Sequence, residues 1–141
     1  ASLNTGWTSH TASVAQMTIG NGTISTVYKR IGSTVLYRGT ITFGSTTAMH
    51  ASNAPTISLP VDALTTGPSS LGMAGVTHFF DTSAGKRYPG VMLLGLNYGL
   101  LYLNVRQAAD DTITVYSLNT AVPPAVGAGD VFHFSIVYEG A

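Results

Sequence analysis

Acid–base chemistry on a glycan needs two carboxyl groups flanking the scissile bond, about 5–10 Å apart, and this chain offers Asp62, Asp81, Asp110, Asp111, Asp130 and Glu139. Only Asp110 and Asp111 are neighbours in sequence. Adjacent strand residues diverge to opposite faces, and in a turn both stay solvated or cap it. No Gly-x-Ser-x-Gly elbow presents a serine nucleophile. The histidines, His10, His50, His78 and His133, have neither the two-apart spacing nor the His-x-x-x-His spacing of a metal site, so they are expected as ordinary strand residues. A cluster drawn from four separate strands is the alternative. Cysteine is absent, which removes disulfides, thiolate chemistry and cysteine zinc sites. The residues point to no enzyme, no cofactor and no metal.

Glycan binding asks less: an aromatic face for the sugar's C–H surface and a few planar donors and acceptors. Two segments expected as loops supply them, residues 81–89 with Asp81, Lys86, Arg87 and Tyr88, and residues 97–99 with Asn97 and Tyr98. Loops on a rigid scaffold are where binding residues concentrate. The plainer reading makes Lys86 and Arg87 solvated loop charges and Tyr98 a packing residue. Trp7, the single tryptophan, is read as an anchor fixing an N-terminal arm, residues 1–10, to the core or to a neighbouring subunit. Stacking on a ligand is its alternative role.

The elements that must position these residues are strands. The chain is rich in threonine and serine, and no window sustains helical periodicity. Candidate strands cover 13–19, 24–31, 34–43, 56–59, 72–80, 90–96, 100–106, 112–116 and 131–138, most of them bounded by turn-forming clusters. Alternation puts Phe132, Phe134, Ile136 and Tyr138 inward, with His133 and Ser135 outward. Val35, Tyr37, Ile41 and Phe43 form a second inward row, and Leu101, Leu103 and Val105 a third. This pattern predicts an all-β fold, an antiparallel β-sandwich with jelly-roll-like connections, with a barrel as the alternative. Val91-Met92-Leu93-Leu94 does not alternate, so Val91 and Leu93 are expected under a second cover from a neighbouring subunit, as in a homotrimer, or from a docked protein.

A length of 141 residues suits a single domain, 1–141. Six basic and six acidic residues leave zero formal charge, so nothing in the charge balance favours nucleic acid, whereas weak self-repulsion favours association. The longest apolar runs are interrupted at Gly95 and Gly99 and are too short for membrane insertion. The start, Ala1-Ser2-Leu3-Asn4, lacks the basic and apolar regions of a secretory signal; Ala1 suits both a processed start and a fragment boundary.

Gly20-Asn21-Gly22-Thr23 reads as a hairpin turn with positive φ at both central positions, and Gly32-Ser33 as a second. A phosphate loop is not indicated, since a strand rather than a helix follows. Asn21-Gly22-Thr23 also matches a glycosylation acceptor, meaningful only in a secretory pathway. In order, Trp7-Thr8-Ser9, Ile19-Gly20-Asn21-Gly22-Thr23, Tyr28-Lys29-Arg30-Ile31-Gly32, Phe43-Gly44-Ser45-Thr46-Thr47 and Ser58-Leu59-Pro60-Val61 make the first half resemble a domain of bacteriophage tail-fibre and minor tail proteins, especially of phages infecting actinobacteria. The resemblance implies a trimeric β-rich module on the virion surface, contacting the host envelope and other virion proteins. A host-recognition module binding a cell-surface glycan is therefore expected. The chain has no stalk-like sequence, which makes a capsid decoration protein docking through residues 1–10 the alternative, and a carbohydrate-binding module joined to an enzyme a third.

Overall fold

A computed structural model describes residues 6–50, 53–65, 72–106, 113–117 and 126–141, with backbone alone for 72–74, 104–106 and 113–117. The described residues form twelve strands and no helix: β1 (Thr8–His10), β2 (Val14–Ala15), β3 (Met17–Thr18), β4 (Thr23–Ile31), β5 (Thr34–Thr42), β6 (Ala48–Met49), β7 (Thr56–Ser58), β8 (Gly72–Asp81), β9 (Lys86–Leu94), β10 (Tyr98–Arg106), β11 (Ile113–Ser117) and β12 (Val131–Glu139). Ten of them make one antiparallel sheet in the order β1-β4-β5-β12-β8-β9-β10-β7-β2, with β11 following β7 along the same edge of β10. β3 and β6 form a separate ribbon. The sheet curls into a half-barrel, consistent with the expected sandwich-like fold.

The β4–β5 hairpin closes at Gly32-Ser33, with Ile31 opposite Thr34. Gly32 has φ +62° and Ser33 is not positive, which is the requirement of a type II′ turn. β12, last in the chain, inserts between β5 and β8 and pairs with β5 along its whole length, from Val131 opposite Thr42 to Glu139 opposite Thr34. Its inward row is Phe132, Phe134, Ile136 and Tyr138, all buried beside Val35, Tyr37, Ile41 and Phe43, as alternation predicts. Phe79, Met92, Leu94, Leu101, Leu103 and Ile57 complete the core. Val105 is on β10, but its side chain lies outside the described residues.

Gly90 lets the sheet curl sharply. A Cβ there would fall on the Tyr102 carbonyl and the Thr77 hydroxyl. With only hydrogen at that point, Thr77 Oγ1 reaches across β9 and donates to Tyr102 O at 2.6 Å, tying β8 to β10. The open side of the half-barrel is closed by the chain leaving β7. Tyr37 donates to Ser58 O at 3.1 Å and Tyr138 to Val61 O at 2.7 Å, while Ala63 bridges to Gly140.

Three expectations need correction. Residues 13–19 are not one strand: Gln16 takes φ 60°, so β2 pairs with β7 whereas β3 turns away to pair with β6. Asn21-Gly22 is not a hairpin turn, because β3 and β4 do not pair and the positive φ, +56°, is at Gly20. Instead Asn21 clasps the next turn: its Oδ1 accepts from Thr46 N and Thr46 Oγ1, its amide N donates to Thr46 Oγ1, and its Nδ2 donates to Ser45 Oγ. Two of the five segments that carry the phage resemblance are thus bound together. Finally, most of the expected 81–89 loop is strand, since β9 starts at Lys86 and only residues 82–85 form the hairpin tip.

Candidate functional site

The β8–β9 tip is built around two buried carboxylates. Asp81 Oδ1 accepts from Ser83 Oγ at 2.8 Å and Ala84 N at 2.9 Å. These bonds, the Ala84 amide first and the Ser83 hydroxyl next, hold its pKa below the ordinary carboxylate value, with Lys86 adding a smaller pull. Asp130 Oδ1 accepts from Thr82 N and Thr82 Oγ1, and its Oδ2 from Gly127 N at 2.7 Å. Both carboxylates serve the backbone, so Asp81 is a turn residue in this geometry rather than a ligand-facing one.

The rest of the first candidate set divides between the two faces. Tyr88 pairs with Phe79 and its ring leans on Phe79 at 6.1 Å, on the core side. Burial, and then the Asp81 charge, raises its pKa. Lys86 is exposed at the rim. Arg87 points outward, its guanidinium 4.2 Å from the Phe80 ring centroid. Asn97 and Tyr98 lie past the other end of β9, roughly 26 Å away by strand rise. The two segments therefore do not combine into one site within a chain.

At that far end, Asn97 is exposed and its carbonyl accepts from Leu59 N at 3.0 Å. Tyr98 remains 39% exposed and rests on Gly95, where a Cβ would stand 2.6 Å from its ring carbons. The ring borders a hollow of about 270 Å³ with Asn97, Ser13, Val14, Thr56 and Ser58. Ser58 Oγ accepts from Ser13 N at 2.9 Å and lies 3.4 Å from His10 Nε2. A seated aromatic ring beside an amide and several hydroxyls is the set of groups a sugar requires.

A second concavity, of about 380 Å³, crosses the outward face of β4, β5 and β12 and is lined by Ser25, Val27, Arg38, Thr40, His133 and Ser135. It continues over β8 into a smaller hollow at Val76 and His78. Register explains the gathering: Ser25, Thr40, His133, His78 and Pro89 stand in one row across five strands, and Val27, Arg38, Ser135, Val76 and Val91 in the next. Thr40 Oγ1 and His133 Nδ1 share a 3.0 Å hydrogen bond. The His78 and His133 rings lie 6.0 Å apart. Desolvation, then the Arg87 and His133 charges, lowers the pKa of His78.

Trp7 sits on this face, 41% exposed, with the Arg38 guanidinium 4.2 Å from its ring centroid. The strand that follows it, β1, pairs with β4, so residues 8–10 are a sheet edge rather than a loose arm; residues 1–5 lie outside the described residues. Val91 and Leu93 face outward and are half-buried, while Met92 and Leu94 enter the core. Alternation is thus present in burial although the residue types conceal it. Asp110 and Asp111 lie outside the described residues. Among the described residues no group of three His, Cys, Asp or Glu is placed to hold a metal ion.

The outward groove could be found only in part by alternation, which marks Arg38, Thr40, His133 and Ser135 as outward. Their convergence with His78 depends on β12 lying between β5 and β8, for which the sequence carries no local signal. No family model, curated protein or solved structure matches this chain, so the functional reading rests on residues and geometry.

Proposed function

We propose that this chain is a non-enzymatic surface module of a bacteriophage virion that recognises a host-envelope glycan. The observation that carries the recognition is the hollow at Tyr98, where a partly exposed ring, held on Gly95, stands beside Asn97, Ser13 and Ser58. The phage assignment rests on the resemblance of residues 7–61 to tail-fibre domains. In an assembled homotrimer three copies of the hollow would act together, and multivalency would multiply a weak single-site affinity. A gold-labelled antibody on purified particles tests the reading: label at the tail end is the expected result, and no label on any particle overturns it. Attachment to intact host cells should fall on Tyr98→Ala.

One observation favours the capsid decoration alternative. Val76 and Val137 are 64% and 54% exposed on the outward face, in neighbouring rows with Val91 and Leu36, an apolar stripe suited to docking on another virion protein or a second copy. Label over the head, with capsid attachment lost on deletion of residues 1–10, would select it.

A further inference from the structure

We infer that the outward groove over β4, β5, β12 and β8 is an anion subsite for a host-envelope glycan, taking a carboxylate or sulfate substituent, and that His78 and His133 take up protons from solvent as it binds. The inference rests on the host-recognition reading and goes beyond it by naming the charge of the ligand.

Charge placement is the first support. Although the chain is formally neutral, two of its carboxylates, Asp81 and Asp130, are buried in the β8–β9 tip. The outward face carries cationic side chains instead: β5 contributes Arg38 and β9 Arg87, with the titratable His133 of β12 and His78 of β8 between them. The carboxylate on these rows among the described residues is Glu139, which accepts from Ser33 Oγ and lies roughly 20 Å along β12 from His133. A face that gathers cations while its acids are spent elsewhere attracts an anion.

Fixed geometry is the second. Trp7 under Arg38 and Phe80 under Arg87 hold both guanidinium planes, which lowers the entropy lost on binding an oxyanion. Thr40 engages His133 Nδ1, so Nε2 is the ring's remaining hydrogen-bonding atom. At His78 desolvation, then the Arg87 charge and then the His133 charge disfavour the protonated ring. An anion held against both rings opposes the two charge effects, so binding and protonation reinforce each other. Affinity must then rise as pH falls through the histidine range.

The test is calorimetric titration at constant ionic strength with dextran sulfate, polygalacturonate and neutral dextran, at pH 5.5 and pH 8. One charged polymer is expected to bind at pH 5.5 and to weaken by about tenfold or more at pH 8, the scale of one charge-assisted hydrogen bond; which polymer it is identifies the substituent. Affinity independent of pH, or equal affinity for neutral dextran, overturns the inference. The double variant His78→Asn/His133→Asn should bind at pH 5.5 no better than the parent does at pH 8, and parental binding by a folded double variant overturns it. Should that variant not fold, NMR titration of the unaltered protein decides: both histidine pKa values must rise with the charged polymer present, and unchanged values refute the idea. Host-cell attachment is measured alongside. Attachment without polyanion binding overturns the anion subsite and leaves the host reading standing, whereas polyanion binding without attachment does the reverse.

Discussion

The two concavities are built by different means. The groove at His133 lies on β4, β5, β12 and β8, where long uninterrupted registers place every side chain. The hollow at Tyr98 lies on β10, β7 and β2, whose mutual registers span only two or three residues, and it depends on side chains that capture backbone, Tyr37 on Ser58 and Tyr138 on Val61. Backbone ladders tolerate the loss of a surface side chain. A short-strand region held by a few hydroxyl-to-carbonyl bonds does not tolerate the loss of one of those hydroxyls, so the hollow should be the softer of the two sites.

The largest expected effect is an exception within the robust half. Asp130→Ala removes the buried carboxylate that accepts from Thr82 N, Thr82 Oγ1 and Gly127 N and should cost about 2 kcal/mol in urea denaturation. If it costs less than about 1 kcal/mol, the β8–β9 tip is held by its ladder alone.

Alkaline pH should separate the regions next. Burial raises the pKa values of Tyr37 and Tyr138 to about 12, above the value of about 10 in an unfolded chain. The unfolded state therefore loses protons first, so the stability these groups contribute is complete below about pH 10 and is lost as pH rises towards 12. Tyr37→Phe/Tyr138→Phe should flatten that alkaline decline. An unchanged decline would place its origin elsewhere.

Tyr138→Phe alone removes one buried hydrogen bond and should cost about 1 kcal/mol. Hydrogen exchange should then quicken over residues 58–64 while β12 stays protected. Equal quickening in both would erase the distinction between ladder-held and side-chain-held regions.

Acid is expected to act on the robust half. The folded-state pKa of Asp81 is lowered, so its contribution is present above the ordinary carboxylate value and is lost as pH falls below it. Asp81→Asn should reduce that acid sensitivity, measured as the shift in melting temperature between neutral and acidic buffer. The smallest stability effect belongs to Tyr98→Ala, within about 0.5 kcal/mol for a partly exposed ring, although glycan-dependent attachment should fall by about tenfold if the ring stacks on sugar.

The legibility of the sequence follows the same division. In β12 and β5, alternation identified the large inward residues Phe132, Phe134, Ile136 and Tyr138 and Val35, Tyr37 and Ile41, even though Val137 and Leu36 are apolar on the outward face. At 13–19 it failed, because Gln16 in a positive-φ conformation carries no composition signal and sends the two halves to different partners. At Asn21-Gly22 the local preference for a hairpin turn lost to the tertiary clasp with Thr46. In the candidate site, the polar and aromatic types at 81–88 were legible. Their division between core, rim and outward face was not, since it depends on where the strand begins.

What the sequence determined by itself is the strand class, the inward rows, the Gly32-Ser33 hairpin and the absence of cysteine chemistry, because each follows from the geometry of neighbouring residues along one chain. Tertiary structure alone decided that His78 meets His133, that Asp81 and Asp130 turn away from solvent, and that Tyr98 stands far from Arg87. The first of these depends on the placement of β12 between β5 and β8. Strand order is set by the burial of the whole curled sheet, a cooperative quantity to which no local stretch of residues has access.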